Sequence, residues 1–182
     1  MTYAELHAKS AFSFLEGASL PEELATVAAE LEIPAMALLD RDGVYGAPQF
    51  YKAARKNGVQ PHVGAEITLI RKGQPTRAQA DVILPLLVEN RTGYQNLCRL
   101  ITRMKLRAEK GEGSVTLDEV AEHAEGLVCL TGGANGPLAH AREVAQTSVC
   151  AGTRFGSAAQ TEVYATRVAE QLVAIFGRVG AR

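Results

Sequence analysis

Apolar runs and helix-type repeats alternate along the first 131 residues of the chain. Residues 35–39 (AMALL) are continuously apolar, which is typical of a strand buried on both faces. Just before them, apolar residues recur at helical spacing over residues 24–31. The same reading predicts further strands over residues 3–7, 63–70, 82–88 and 127–131, and further helices over residues 47–57, 91–107 and 116–123.

Turn and cap residues set the limits of several elements. Residues 19–22 (SLPE) have capping-box spacing with proline in the first turn, so the first helix is predicted to begin there. Gly58 is well placed to end the second helix. Pro85 interrupts the fourth strand, which predicts an edge position or a bulge.

Strands that alternate with helices favour an α/β fold with parallel strands and helices outside. Open doubly wound sheets and closed barrels both fit, because periodicity does not distinguish them. After residue 139 the pattern weakens, and residues 161–176 predict one last amphipathic helix. We therefore expect residues 1–139 to form the main part of the domain and residues 140–182 to form its weakly matching helical tail.

Composition narrows the class of partner and compartment. The 182 residues are 47% hydrophobic and 21% charged, as in an ordinary globular domain. A net charge of −1 argues against DNA binding by overall charge, so DNA contact is expected to be indirect. Three cysteines without CxxC spacing, and no signal peptide or membrane-length apolar run, predict a cytoplasmic protein.

Four residues are candidate metal ligands near the predicted strand ends, where α/β folds place their sites. His7 ends the first strand, but Lys9, which faces the same way, has an ammonium where a second imidazole would complete His-x-His. Glu16 lies in the next loop and Asp40 ends the second strand. Glu66 lies inside an apolar strand, so its carboxylate must be edge-exposed, paired or metal-bound.

Each candidate also has a structural interpretation. A lone histidine at a strand end is more often structural than a ligand. Asp40 and Glu16 both precede turn residues and are compatible with simple turns.

Five blocks of residues follow one another in an order typical of one family. They are residues 5–19, 38–54, 63–66, 86–97 and 127–132. Together they resemble the PHP (polymerase and histidinol phosphatase) domain at the N-terminus of bacterial DNA polymerase III alpha subunits. Residues 40–46 (DRDGVYG) are most similar to the error-prone branch of these polymerases.

The resemblance implies a PHP-type distorted (β/α)7 barrel with parallel strands and helices outside, truncated in this chain. In active relatives such a barrel holds divalent metals and hydrolyses phosphoesters, sometimes as a 3′–5′ exonuclease. On this basis His7 matches the first metal ligand, Glu16 stands where the family often has Asp, and Glu66 matches the third block's carboxylate. Asp40 matches the acidic residue of the second block.

Several departures from the family pattern predict a degenerate metal site. Lys9 replaces the second histidine, Arg41 replaces a histidine after the second block's aspartate, and Ile83 stands where the fourth strand often has histidine. The chain also ends before the later histidine and Asp-x-His ligands. We expect Lys9 and Arg41 to neutralise the three carboxylates, with a divalent metal (zinc, manganese or magnesium) held at low occupancy or not at all.

Two functions fit this pattern. The first is a structural PHP domain of an error-prone DNA polymerase III alpha-type protein in replication and repair synthesis, with the remainder of a polymerase or replication and repair proteins as partners. The nucleotidyltransferase core would lie outside this chain, and we expect no phosphoesterase activity. The second is a stand-alone metal-dependent phosphoesterase or 3′–5′ exonuclease. The low ligand count favours the first, and the truncated barrel leaves a sheet edge that offers a route to self-association.

Overall fold

The computed structural model describes residues 3–70, 82–109 and 113–130, together with Gly132 and Gly136. Within these residues the strands and helices follow one another in the order that the sequence predicts. The strands are β1 (Glu5–Ala8), β2 (Ala35–Arg41), β3 (Gln60–Leu69), β4 (Val82–Val88) and β5 (Leu127–Cys129). The helices are α1 (Pro21–Glu30), α2 (Ala47–Lys56), α3 (Arg91–Arg107) and α4 (Leu117–Glu122). The expected tail over residues 140–182 lies outside the described residues.

The five strands form one sheet in the order β1-β2-β3-β4-β5. The β1–β2 and β2–β3 pairs are parallel, with α1 and α2 as the connecting helices. This confirms the α/β arrangement for the first half. The β3–β4 and β4–β5 pairs are antiparallel, unlike the parallel pairing that the alternation favours. Apolar periodicity could not reveal this difference, because a buried strand has the same apolar run in either direction.

Pro85 is neither on a sheet edge nor at a bulge, so that prediction is wrong. β4 lies between β3 and β5, and its register with β3 is continuous from Val82 to Leu87. On the other side, Leu130 N donates to Pro85 O at 2.9 Å. The reciprocal bond cannot form because proline has no N–H, and the β4–β5 ladder ends at this point.

Two apolar cores cover the sheet. One packs α1 and α2 against β2, and the other packs α3 and α4 against β3, β4 and β5. Every residue from Met36 to Asp40 is buried, which confirms the prediction that this strand is covered on both faces. The largest fully buried side chains are Phe50, Leu38, Leu39, Ile67, Leu84, Leu86, Leu97, Leu100, Met104 and Leu127.

Polar side chains fix where the helices begin. At α1 the backbone N–H of Leu20 donates to Glu23 Oε2 at 2.9 Å, so the helix begins one residue later than the Ser19 cap predicts. At α3 Asn90 Oδ1 accepts from Gly93 N at 3.0 Å. A Cβ on Gly93 would lie 1.8 Å from Gly126 O, so only glycine allows this approach of α3 to the turn before β5.

No helix in the described ranges is long and apolar enough to cross a bilayer.

Candidate functional site

Strand register brings the candidate residues of β1, β2 and β3 to one region of the sheet. Arg41, the last residue of β2, is paired with Glu66 of β3, and β1 lies on the other side of β2. Neighbouring residues in a parallel pair point to the same face, so both side chains face one side. His7 and Lys9, at the end of β1, reach the same side and contact Glu66.

Glu66 is the buried centre of this group. Its carboxylate is 3% exposed, and Oε1 lies 2.6 Å from His7 Nε2. Oε2 lies 2.9 Å from Lys9 Nζ, yet it has no aligned hydrogen-bond donor, so this contact is ionic. Burial acts to raise the pKa of Glu66, but His7 and Lys9 outweigh it and hold the pKa below its ordinary value. The carboxylate is therefore charged at neutral pH.

Lys9 bridges two carboxylates. Its Nζ lies 2.5 Å from Glu16 Oε2 in addition to its contact with Glu66. Burial acts to lower the pKa of Lys9, but the two carboxylates outweigh it and raise the pKa above the ordinary value. The amine is protonated at neutral pH and has no lone pair to offer a metal.

Arg41 supplies the second fixed cation. Its Nη1 lies 3.6 Å from Glu16 Oε1 and 3.9 Å from Glu66 Oε2. Its Nε donates to Thr68 Oγ1 at 3.2 Å and lies 3.6 Å from Asp42 Oδ2. We call His7, Lys9, Glu16, Arg41 and Glu66 the Glu66 cluster.

Asp40 lies apart from the Glu66 cluster, although it immediately precedes Arg41. Successive side chains on a strand point to opposite faces, so Asp40 points away from Arg41. Its Oδ1 accepts from Ser10 N at 2.9 Å, Ser10 Oγ at 2.8 Å and Ser13 Oγ at 2.9 Å. Its Oδ2 accepts from Gly46 N at 3.3 Å and lies 2.9 Å from Ser10 Oγ. We call Ser10, Ser13, Asp40 and Gly46 the Asp40 pocket.

Sequence reasoning missed the polar residues that support these groups. The sequence alone does not predict a role for Ser10, Ser13 or Thr68. The N and Oγ1 of Thr68 each donate to the Asp42 carboxylate at 2.8 Å. A usable signal was present, because a buried aspartate requires hydrogen-bond donors and two serines follow β1. The sequence alone did not indicate which donors meet which carboxylate.

The residues present do not fit a bound divalent metal. Among the described residues, no group of three His, Cys, Asp or Glu side chains is arranged to hold one. The Lys9 ammonium lies between the carboxylates of Glu16 and Glu66, the place that a metal bound by both would take. Glu66 Oε1 is already engaged by His7.

Comparisons with known proteins agree with the sequence blocks. A family model described as the PHP domain matches residues 5–181. An error-prone DNA polymerase of Anaeromyxobacter sp. (strain K) is 43% identical over an alignment of 145 residues, and the match covers 74% of this chain and 12% of that protein. DNA polymerase III subunit alpha of Caulobacter vibrioides (strain NA1000 / CB15N) is 40% identical over an alignment of 139 residues, and the match covers 75% of this chain and 12% of that protein.

A solved structure of an amidohydrolase from Chromobacterium violaceum also matches, with a TM-score of 0.45 and 18% identity, over 94% of this chain and 49% of that chain. The chain thus spans 12% of the length of the two polymerases named above. The family match covers nearly the whole chain and the five blocks of the sequence resemblance. The chain belongs to the PHP domain family.

Proposed function

We propose that this chain is a structural PHP module of a DNA polymerase III alpha-type, error-prone polymerase in which a salt-bridge cluster stands in place of the metal site. The observation that carries the proposal is the position of Lys9 Nζ, 2.5 Å from Glu16 and 2.9 Å from Glu66. The role proposed is to brace the rest of the polymerase during replication and repair synthesis.

Charge balance supports this role. Lys9 and Arg41 provide two positive charges next to Glu16 and Glu66, the two carboxylates that the cluster gathers. A buried carboxylate needs a counter-charge or donors, and here covalently attached side chains supply them. The fold therefore needs no ion to stabilise these carboxylates.

Phosphoester hydrolysis has little support from the same residues. Metal-activated water requires several deprotonated ligands that leave an open position on the metal. In the Glu66 cluster the His7 imidazole is hydrogen-bonded to Glu66. The Lys9 ammonium lies between the carboxylates of Glu16 and Glu66. The stand-alone phosphoesterase or exonuclease is therefore the less favoured function.

The proposed partners follow from the relatives. Their names are those of DNA polymerases, and this chain matches 12% of their length. In the proposal, DNA is reached only through the remainder of such a polymerase, since the chain has a net charge of −1. The cytoplasm, where DNA synthesis occurs in bacteria, is the proposed compartment.

Metal analysis tests the proposal. The purified chain is treated with chelator, dialysed against zinc or manganese, then against metal-free buffer, and its metal content is measured by mass spectrometry. We expect far less than one ion per chain. Stoichiometric, tightly held zinc or manganese would overturn the proposal.

A hydrolysis assay tests the less favoured function. Wild type and His7→Ala are compared with a chromogenic phosphoester and with single-stranded DNA, each in the presence of manganese. We expect the same background rate from both proteins. Clear turnover that is lost in His7→Ala would show that the chain is a hydrolase.

A further inference from the structure

The loop after β1 exposes three large apolar side chains. Phe12 is 44% exposed, Phe14 83% and Leu15 89%. We call these three residues the apolar tip. Leu15 has φ of 64°, in the left-handed region that is unfavourable for a leucine. Leu15 is thus a bulky apolar residue that is exposed to solvent on a strained backbone. This arrangement does not stabilise the isolated domain, and an exposed apolar patch is typical of an interaction site.

The apolar tip is presented by a rigid loop. Ser13, between the two phenylalanines, donates to Asp40 Oδ1 and accepts from Arg41 N at 3.0 Å. The backbone N–H groups of Glu16 and Gly17 both donate to Ser13 O at 2.9 Å. A Cβ on Gly17 would lie 2.1 Å from Ser10 O, so the loop is also closely packed at its base. A fixed conformation reduces the entropy lost on binding.

We propose that the apolar tip is a docking surface for another part of a polymerase polypeptide that contains this domain. The inference rests on the proposed function and adds the surface through which the domain braces its partner. The segment that matches this chain makes up 12% of each polymerase relative named above. Most of such a polypeptide therefore lies outside the PHP segment and can supply the surface that covers the apolar tip.

The size of the apolar tip favours a covalently linked partner over a second copy of this chain. Its exposed area is on the order of 400 Å², taking about 200 Å² for a large apolar side chain. A stable complex of separate proteins buries about 800 Å² on each side, whereas domains of one chain associate through about 300–750 Å² a side. Linkage compensates for a small interface by raising the effective concentration.

The charges around the apolar tip favour a protein surface over DNA or a lipid surface. Residues 10–20 contain no lysine or arginine, so the loop offers no cation to phosphate groups. The neighbouring cations, Lys9 and Arg41, are engaged by Glu16 and Glu66. An apolar protein surface is the occupant whose chemistry matches the apolar tip.

A photocross-linking experiment in an intact polymerase tests the proposal. This chain replaces the matching segment of the error-prone DNA polymerase of Anaeromyxobacter sp. (strain K), and Phe14 is replaced by p-benzoylphenylalanine. On irradiation we expect an intramolecular cross-link, mapped by mass spectrometry to a residue outside the PHP segment. Cross-linking to a second molecule, or none above the level seen with the probe at Leu106, would overturn the proposal.

A stability comparison gives a second readout. Phe14→Ser together with Leu15→Asn is expected not to lower the melting temperature of the isolated chain, because both side chains are exposed there and asparagine tolerates the left-handed φ of residue 15 better than leucine. In the intact chimera the same pair is expected to increase protease cleavage at the domain junction about tenfold. Leu106→Asn is the matched control, since Leu106 is also 83% exposed but lies on α3.

Equal cleavage of the double variant and the wild-type chimera would overturn the docking surface. The metal and hydrolysis assays use the isolated chain, so they report on the proposed function separately. A metal-free, inactive chain whose apolar tip forms no cross-link would contradict only the docking surface.

Discussion

Asp40 and Glu66 lie on neighbouring strands, and both carboxylates are almost completely buried, at 1% and 3% exposure. The Asp40 pocket satisfies its carboxylate with neutral donors, namely two hydroxyls and two backbone N–H groups. The Glu66 cluster instead surrounds its carboxylate with the cations of Lys9 and Arg41 and one imidazole, and Oε2 is left with ionic contacts alone. One strand position separates Asp40 from Arg41, so strand alternation is sufficient to divide the two environments.

The two environments contribute to the stability of the fold in different ways. Neutral donors in the Asp40 pocket also hold the loop that carries Ser10 and Ser13, so that pocket is part of the fold. The cations of the Glu66 cluster instead neutralise the carboxylates of Glu16 and Glu66, and they contribute less to the path of the chain. We therefore expect loss of the Asp40 carboxylate to cost the most stability, and the Glu66 cluster to respond to substitutions that change its balance of charge.

Removal of the Asp40 carboxylate is expected to have the largest effect. Asp40→Ala leaves buried donors of Ser10, Ser13 and Gly46 without an acceptor and opens a small cavity. We expect a loss of about 4 kcal/mol in the free energy of unfolding, measured by urea denaturation. Glu30→Ala, at an exposed position on α1, is the control, with an expected change within about 0.5 kcal/mol. A loss near 1 kcal/mol for Asp40→Ala would mean that the pocket is not structural.

Removal of the Lys9 ammonium is expected to have the next largest effect. Lys9→Met leaves Glu66 buried with only part of its counter-charge, and we expect a loss of about 2–3 kcal/mol in urea denaturation. Adding Glu66→Gln removes the stranded charge and should restore most of that loss. If the two substitutions instead add independently, Lys9 and Glu66 are not coupled and the cluster is not a unit.

Acid is expected to weaken the Glu66 cluster with a smaller effect. The folded-state pKa of Glu66 lies below its ordinary value of 4.5, so its contribution is present above that pH and is lost as pH falls through the folded pKa. We expect Glu66→Gln to lose less stability than the wild type as pH falls below 4.5, by urea denaturation at each pH. Glu119, whose pKa Arg107 also lowers, contributes the same dependence of stability on pH to the wild type and to Glu66→Gln. Identical acid slopes would contradict the assignment to Glu66.

Base is also expected to destabilise the Glu66 cluster, in this case through Lys9. The folded-state pKa of Lys9 lies above its ordinary value of 10.5, so its contribution is complete below pH 10.5 and is lost as pH rises through the folded pKa. At neutral pH neither loss occurs.

Chelation is expected to have the smallest effect. Because Lys9 and Arg41 already neutralise Glu16 and Glu66, EDTA should leave the melting temperature of the wild type within about 1 °C. Lys9→His replaces the ammonium with a potential ligand beside His7, and zinc should then raise its melting temperature by several degrees. A large fall of the wild-type melting temperature in EDTA would contradict the proposal that Lys9 and Arg41 take the place of a metal in the Glu66 cluster.

Much of the fold could be read from the sequence. The bounds of α3 agree with the predicted helix over residues 91–107, and the buried run over residues 35–39 falls within β2. These elements have long, regular apolar patterns, which local sequence encodes well. The direction of β4 and the role of Pro85 could not be read, because strand direction and ladder endings depend on neighbours that are distant in sequence.

The candidate site was predicted only in part. The sequence alone identifies all five residues of the Glu66 cluster, and the structure brings them together. Asp40 was named with them but lies in its own pocket, since its side chain points to the opposite face from that of Arg41. The assignment of His7, Glu16, Asp40 and Glu66 as the remnant of a metal site stays a prediction.

By itself, the sequence determined the order of strands and helices, the family, and the presence of Lys9 and Arg41 where a metal site was expected. These follow from local patterns and from residue identity. Only the tertiary structure decided that Lys9 lies between Glu16 and Glu66, that Asp40 is held by Ser10 and Ser13, and that Phe14 and Leu15 face solvent. The physical reason is that ion pairs, buried hydrogen bonds and exposure depend on which distant residues the fold brings within a few ångströms of each other.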